Sequence, residues 1–269
     1  MWSPDTPRWR IGLSARRLVR ARTRGVWPRR EIVCDSVACA PEADGAPWTG
    51  AVGALAQWLA GEGARGPSVQ VVLSGSFLRW LLLEWRPELT RQHEVAAYAQ
   101  LRFAETFGKA AAQWQVLHSV LPAGRAAPAC AVDAALVQAL RKVCNDAGAR
   151  LELVAPYFGC AADHWRGALG RGTAWFGLLE PDWVSLGLLR DGAWRGLRAQ
   201  RVEGDWRDVL SGLMGRMGVA AGLVEAPSSV YLAGACEPPA PSATMPFVWL
   251  RPGGAAGGAA DARRLALGI

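Results

Sequence analysis

The sequence predicts an α/β protein of two lobes, each built on a mixed β-sheet with helices packed against it. Apolar and polar residues alternate in two successive segments near the N-terminus, which is the two-residue period of half-buried strands, and a third strand is expected directly after them. Later strands are separated by segments whose apolar residues recur at helical spacing. The order strand-strand-strand-helix-strand then occurs again in the C-terminal half, which indicates an internal duplication.

The first copy begins with an alternating strand around Ile11 and continues as an antiparallel meander. Thr90 is expected to cap a helix that ends at Gly108, and Asp133 is expected to begin another. The elements expected in this copy are strands at 9–13, 18–24, 31–37, 69–73, 77–85, 113–120, 129–132 and 151–154, and helices near 50–60, 90–107, 133–147 and 156–166.

The second copy contains three consecutive strands, the last two joined by a hairpin turn at Asp191-Gly192. The expected elements are strands at 173–179, 183–189, 193–201 and 229–232, a helix at 205–217 and a short apolar run at 247–250. We therefore expect a first lobe with an inserted subdomain over 1–155, a second lobe over 156–250, and a flexible Gly/Ala-rich tail over 251–269.

Composition and motif spacing exclude several classes of protein. The chain has 269 residues and 51% hydrophobic content, but no apolar run near the ~20 residues that a membrane helix needs. Its N-terminal segment does not have the pattern of a signal peptide, so a cytoplasmic location is expected.

No CxxC pair and no histidine spacing suits a metal site, and no cofactor is expected. Free thiols are expected at all six cysteines, which are residues 34, 39, 130, 144, 160 and 236.

The formal net charge of +7 is carried mainly by arginine. A run of arginines in the first two strands could be a solvated sheet face, or could bind an acidic protein segment, lipid headgroups or nucleic acid. Nucleic acid is the least favoured partner, because no known nucleic-acid-binding module is visible and aromatic residues are not interleaved with these arginines.

Trp27, Trp48 and Trp183 lie beside predicted turns and are candidate interface anchors. Ser74-Gly75-Ser76 is interpreted as a turn.

Several segments resemble a known family. Val69–Ser74 followed by Phe77-Leu78-Arg79, the helix 94–107 with the strand at Trp114, and Ala129–Gly148 followed by Leu153–Pro156 carry the likeness, which spans about residues 8–236. The layout is similar to the actin-like (ribonuclease-H-like) fold, a duplicated β-β-β-α-β-α arrangement. Within that fold, the chain resembles the cytoplasmic actin-like domains of the type IV pilus M protein, the mannose-sensitive pilus I protein and the type II secretion L protein.

The sequence departs from the nucleotide-binding members of this fold at both phosphate hairpins. Those members carry Asp-x-Gly, in which the acid orients a metal-bound water and the glycine lets backbone amides approach phosphate. On the first hairpin, the resemblance places Ser14 at the acidic position and Arg16 at the glycine position. On the second hairpin, it places Leu178 and Glu180 at these positions.

The adenosine-binding segment is retained only in part. Val230–Gly234 fits the pattern and Gly234 supplies its glycine, but Ala235 and Cys236 stand where further glycines belong. The resemblance therefore implies a pseudo-ATPase with a degenerate nucleotide site and no catalytic residues. The alternatives are an active ATP-binding enzyme of the same fold and an arginine-rich nucleic-acid-binding protein.

The resemblance also implies a function, namely a cytoplasmic scaffold of an inner-membrane pilus or secretion assembly platform. The expected partners are the cytoplasmic tail of a bitopic inner-membrane protein and the assembly motor ATPase, and a homodimer is left open. The membrane would then be contacted only indirectly. Arg16, Arg17 and Arg20 are candidate residues for binding an acidic tail, with Trp27 as an apolar anchor. Such a tail could add to a strand edge or lie in a groove.

Overall fold

The computed structural model of the chain describes residues 8–24, 31–40, 45–61, 68–170, 172–223, 229–234, 246–251 and 259–269. The strands are β1 (Arg8–Leu13), β2 (Arg17–Arg24), β3 (Glu31–Ala38), β4 (Ser68–Leu73), β5 (Leu78–Leu83), β6 (Trp114–His118), β7 (Ala127–Asp133), β8 (Arg150–Pro156), β9 (Thr173–Glu180), β10 (Trp183–Arg190), β11 (Ala193–Arg201), β12 (Ser229–Gly234) and β13 (Val248–Trp249). The helices are α1 (Thr49–Gly61), α2 (Gln92–Phe107), α3 (Ala134–Asp146), α4 (Tyr157–Trp165), α5 (Trp206–Ala220) and α6 (Ala259–Leu267).

The first lobe is built on a five-stranded mixed sheet with the order β3-β2-β1-β4-β8. β1 pairs antiparallel with β2 and parallel with β4, so the chain crosses over through α1 between them. Ile11 and Leu13 are fully buried, and Gly12 between them faces the opposite side of the sheet. Gly12 is covered by C-terminal residues of the chain, whereas Arg10 on the same face is exposed, so the alternation in the sequence separates a buried face from a partly covered one.

The second lobe repeats this arrangement, which confirms the predicted duplication. Its sheet has the order β11-β10-β9-β12-β13, in which β9 pairs antiparallel with β10 and parallel with β12. The β10–β11 hairpin turns at Asp191 and Gly192, both of which have positive φ angles, 53° and 72°. These two residue types adopt the left-handed conformation that a two-residue hairpin needs. The protein is α/β with a mixed sheet in each of two lobes, as the sequence predicts.

The inserted subdomain is a three-stranded sheet with the order β5-β7-β6, packed against α2. Phe103 is fully buried in a small apolar core of its own with Leu83 and Ala99. The prediction that Thr90 caps α2 was wrong. Arg91 is the N-cap residue, and the Glu94 carboxylate accepts hydrogen bonds from its amide at 2.9 Å and from the Thr90 amide at 3.0 Å.

The outer face of the first-lobe sheet is covered by α1 and α3. Trp9 on β1 meets Trp58 on α1 edge to face, with ring centroids 4.8 Å apart. Asp133 caps α3 by accepting a hydrogen bond from the Ala135 amide at 2.9 Å, as predicted. The other Asp133 carboxylate oxygen accepts from the Trp48 indole at 3.0 Å, so this tryptophan joins the approach to α1 to the start of α3.

The segment 251–269 was predicted to be a flexible tail, and for its described part this was wrong. Residues 259–267 form α6, which lies on the inner face of the first-lobe sheet. Leu265 and Ala266 are buried over Gly12, where only a strand residue without a side chain leaves room for the helix. The Tyr157 hydroxyl donates to the Ile269 carbonyl at 2.9 Å and holds the end of this segment. The high alanine and glycine content of this segment predicted flexibility, but part of the segment forms a packed helix.

The two lobes share one continuous apolar core. Phe158 on α4 contacts Trp80 of the inserted subdomain, Phe176 on β9 and Trp194 on β11, with centroid distances of 5.5, 5.4 and 5.7 Å. Helix α4 therefore packs on the strands of both lobes. The division after residue 155 stays a prediction.

The thiols in the described part of the chain are free, as predicted for Cys34, Cys39, Cys130, Cys144 and Cys160. Burial raises the pKa of Cys130 to about 12, which makes it inert at neutral pH. Cys236 lies outside the described residues. No described helix has the length and apolar character to cross a membrane. Within the same residues, no three His, Cys, Asp or Glu side chains are grouped as metal ligands.

Replacing Gly12 with alanine should destabilise the protein. A Cβ atom at this position would lie 2.6 Å from the Leu265 Cγ and 2.7 Å from the Ala266 backbone nitrogen, so α6 must move. We expect a loss of about 1–3 kcal/mol in the free energy of unfolding, measured by urea denaturation. Gly53→Ala is the control, because a Cβ on this exposed helical residue meets nothing within 4 Å and should stabilise by up to ~1 kcal/mol. Equal stability of the wild-type chain and Gly12→Ala would contradict the packing of α6 on β1.

Candidate functional site

The turns of the two equivalent hairpins, β1–β2 and β9–β10, meet between the lobes. Arg16 on the first turn lies 3.9 Å from the Asp182 carboxylate on the second, with side chains 69% and 33% exposed. At this distance and exposure the pair is weak. The Ser14 hydroxyl donates to the Arg17 carbonyl at 3.1 Å and accepts from the Arg17 amide at 3.1 Å, so it is used within its own turn.

Glu180 is the most unusual residue between the lobes. It is 5% exposed, and its Oε1 atom accepts a hydrogen bond from the Gly75 amide at 2.8 Å. Gly75 begins a single 3-10 turn (Gly75–Phe77), where a backbone N–H has no helical partner. Burial raises the pKa of Glu180 to about 7, and the Ser74 and Gly75 hydrogen bonds partly offset that rise. Asp182 nearby adds a small further rise.

The Trp183 indole covers the same backbone. A Cβ atom at Gly75 would lie 2.5 Å from the Trp183 Cδ1 and 2.8 Å from its Nε1, so glycine is required here. The Trp183 indole nitrogen is buried and has no hydrogen-bond partner among the described residues. Side chains of the second hairpin therefore fill the space above the Gly75 turn.

Leu178 lies on β9 beside Ala233 of β12, and it is fully buried in the core that both lobes share. Its side chain has no hydrogen-bonding atom, so it cannot orient a metal-bound water. This position therefore contributes packing between the lobes.

Gly234 ends β12 in close contact with β9. A Cβ atom there would lie 1.9 Å from the Leu179 carbonyl oxygen, and its φ angle is 154°. The Gly234 carbonyl accepts a hydrogen bond at 3.1 Å from Arg264 of α6, which is 8% exposed and lies over the Trp249 ring. Sequence reasoning missed Arg264. Its position within the Arg-Arg-Leu-Ala-Leu stretch was the available signal, because the neighbouring apolar residues indicate a packed helix. Ala235 and Cys236 lie outside the described residues.

The structure separates the residues proposed for partner binding. Arg17 is exposed at the start of β2, and it has no side-chain partner among the described residues. Arg20 points across the sheet, forms a two-point ion pair with Asp35 on β3, and lies 5.2 Å from the Trp58 ring centroid. Trp27 lies outside the described residues.

A groove of about 620 Å³ lies between the inserted sheet, α4 and the β10–β11 turn. Its walls include Trp80, Phe158 and Trp194, and Arg125 and Arg166 lie among its lining residues. The Trp80 indole nitrogen is buried without a hydrogen-bond partner in the described part of the chain. Sequence reasoning did not find this groove, because its lining comes from elements far apart in the chain.

Neither known family models nor curated protein sequences match this chain. Solved structures do. The cytoplasmic domain of EpsL, an inner-membrane component of the type II secretion system of Vibrio cholerae, superimposes with a TM-score of 0.60 at 14% identity, covering 97% of this chain and 95% of that one. The PilM–PilN type IV pilus biogenesis complex gives a TM-score of 0.60 at 15% identity, covering 86% of this chain and 82% of that one.

A Bacteroides thetaiotaomicron protein with an actin-like ATPase fold and unknown function gives a TM-score of 0.56 at 11% identity, over 85% of this chain and 81% of that one. This chain has the actin-like fold. The predicted resemblance to the pilus and secretion proteins is confirmed at the level of fold, because these identities are too low to carry function.

Replacing Glu180 with glutamine should remove a pH dependence of stability. The pKa of this carboxyl is about 7 in the folded protein, against 4.5 for an ordinary glutamate. The folded state therefore binds the proton more tightly, and folding loses free energy as the pH rises from the lower value to the higher. Between pH 4 and pH 8, we expect the wild-type chain to lose about 3 kcal/mol more than Glu180→Gln in urea denaturation. Parallel pH profiles for the two proteins would contradict the burial of this carboxyl.

Proposed function

We propose that this chain is a non-catalytic scaffold of a type IV pilus or type II secretion assembly platform. It works on the cytoplasmic face of the inner membrane, where it binds the cytoplasmic tail of a bitopic membrane protein. The observation that carries this proposal is the buried Glu180 carboxyl on the Gly75 amide. This carboxyl stands at the hairpin position where the resemblance places a phosphate-contacting glycine, and it is held there by the protein's own backbone. In this proposal the fold serves contacts with other proteins.

The chemistry around Glu180 argues against nucleotide turnover. An ionised Glu180 repels phosphate, and a protonated one still occupies the Gly75 amide. Leu178 supplies no oxygen for a metal-bound water, and the Ser14 hydroxyl is held within its own turn. Phosphoryl transfer relies on positioned amides and metal ions, so this arrangement lacks the groups that the reaction needs.

The structural likenesses support the choice of partner. PilM is found in a complex with PilN, and EpsL is an inner-membrane component of its system. By analogy, a membrane protein's tail holds this chain at the inner membrane, and the assembly motor ATPase is a further partner.

The basic turn of the first hairpin is the proposed surface for the tail. Arg17 is exposed there, and among the described residues Arg16 forms only the weak pair with Asp182. Arg20 contributes less than its charge suggests, because Asp35 already neutralises it. Trp27 stays a proposed apolar anchor. An acidic tail would gain from this surface mainly at low ionic strength, since exposed charges are screened by salt.

Titration with Mg-ATP tests the non-catalytic role. We expect no heat of binding in calorimetry and no phosphate release above background, because a buried Glu180 carboxyl stands at the glycine position of the second hairpin and Leu178 at its acidic position. A micromolar Kd would overturn the proposal and favour an active ATP-binding protein of the same fold.

Reversing the charge of Arg17 should weaken tail binding. The probe is a peptide with the sequence of the cytoplasmic tail of the proposed single-span membrane partner, identified by its co-purification with this chain. We expect Arg17→Glu to raise the Kd about tenfold at low salt, or about 1.4 kcal/mol, with little change in the thermal midpoint. Arg195→Glu makes the same charge change on an exposed residue of β11 and should bind like the wild type. Equal Kd values for the two variants would exclude the basic turn as the binding surface.

A further inference from the structure

The outer edge of the first-lobe sheet is formed by β3, which pairs with β2 on one side and with no described strand on the other. The Cys39 amide donates to the Arg16 carbonyl at 2.8 Å, in the same register as the β2–β3 pairing. In an antiparallel ladder, residues alternately bond to the neighbouring strand and point away from it. Cys34 and Ser36 therefore direct their backbone N–H and C=O groups toward the open edge.

The side chains of this edge are suited to another strand. Val33 and Val37 are 41% and 40% exposed on one face, and Asp35 between them forms an ion pair with Arg20 while its side chain stays 56% exposed. No bulge interrupts the β2–β3 register, and positions 33–38 contain no proline or lysine. Edge strands are commonly protected by such features, so this one is a ready template for pairing.

A second copy of the chain does not suit this edge. Antiparallel pairing that brings Val33 of one copy opposite Val37 of the other also places the two Asp35 residues directly opposite each other. Like charges at directly opposed positions destabilise a strand pair. The apolar residues of β3 are therefore covered best by a different sequence.

The charges around the edge favour an acidic segment. Arg17 lies opposite Ala38 at the end of β3, and its side chain is exposed. On the α6 face of the sheet, Arg263 lies near Cys34. Burial raises the pKa of the Cys34 thiol, and the positive charge of Arg263 partly offsets that rise. Cations therefore lie at the end of the open edge and along its α6 face.

We infer that β3 binds an extended, acidic segment of a partner protein as an additional strand. Apolar side chains at alternate positions of the segment cover Val33 and Val37, and acidic side chains between them face Arg263 and Arg17. The inference rests on the proposed function, in which the segment is the membrane protein's tail. Backbone hydrogen bonds to Cys34 and Ser36 supply affinity, and the alternation supplies specificity.

The probe is a blocked ten-residue peptide in which valine and glutamate alternate. Its control is an isomer with the valines and the glutamates in separate blocks, which has equal charge but cannot present one apolar face as a strand. We expect the wild-type protein to bind the alternating peptide at least tenfold more tightly, measured by fluorescence anisotropy.

Two variants test the edge itself. Ser36→Pro removes an outward amide without removing a bond to β2, whereas Ser36→Ala keeps that amide. We expect Ser36→Pro to raise the Kd at least tenfold and Ser36→Ala to leave it unchanged. Val37→Glu, which removes an apolar contact and places a charge of the same sign as the peptide on the exposed face, should also raise the Kd and covers the case in which the proline variant unfolds.

Equal affinity for the two peptides, or unchanged binding by the folded Ser36→Pro and Val37→Glu variants, would overturn strand addition. The proposed function fails separately, by tight Mg-ATP binding or by the absence of any binding to the native tail. Native tail binding that is sensitive to Arg17→Glu but not to Ser36→Pro would leave the scaffold role standing without the added strand.

Discussion

One buried hydrogen bond, from the Gly75 amide to the Glu180 carboxyl, determines what the region between the lobes can do. A carboxyl taken out of water is destabilising unless its oxygen finds a donor, and the 3-10 turn at Gly75 provides one that no helix uses. The absence of a side chain at Gly75 also lets Trp183 lie over the turn. Together with the aromatic contacts of Phe158, this arrangement joins the lobes through the protein's own groups.

Most elements of the fold could be predicted from the sequence because their signals are local. Alternation of apolar and polar residues predicted strands. Asp191-Gly192 predicted a hairpin turn and Gly108 predicted a helix end, and in the structure all three residues have positive φ angles. Where two local signals competed, the prediction failed. Thr90 looked like a cap, but the Glu94 carboxylate reaches back to the Thr90 and Arg91 amides instead.

The candidate site was predictable only as a departure from a pattern. The resemblance placed Glu180 and Leu178 at positions where a nucleotide-binding protein has other residues, but it could not show that Glu180 bonds to Gly75, because the two residues lie in different lobes. For the arginine-rich strands, the sequence predicted more than the structure shows. Composition suggests a surface of free positive charge, yet Arg20 and Arg22 lie over Trp58 and Trp9 and shield apolar rings from water.

The position of α6 affects the order in which the molecule can be completed during synthesis. β1 is synthesised well before α6, yet the inner face of its sheet is covered by Leu265 and Ala266 of that helix. Until α6 has been synthesised, the strands of the first lobe are held together by the contacts on the α1 face. The apolar residues on the inner face of the sheet stay exposed during that time. Contacts between residues far apart in the chain form slowly, because a long loop must close before they stabilise anything. Until that closure, the half-covered sheet is the part of the nascent protein most in need of a chaperone.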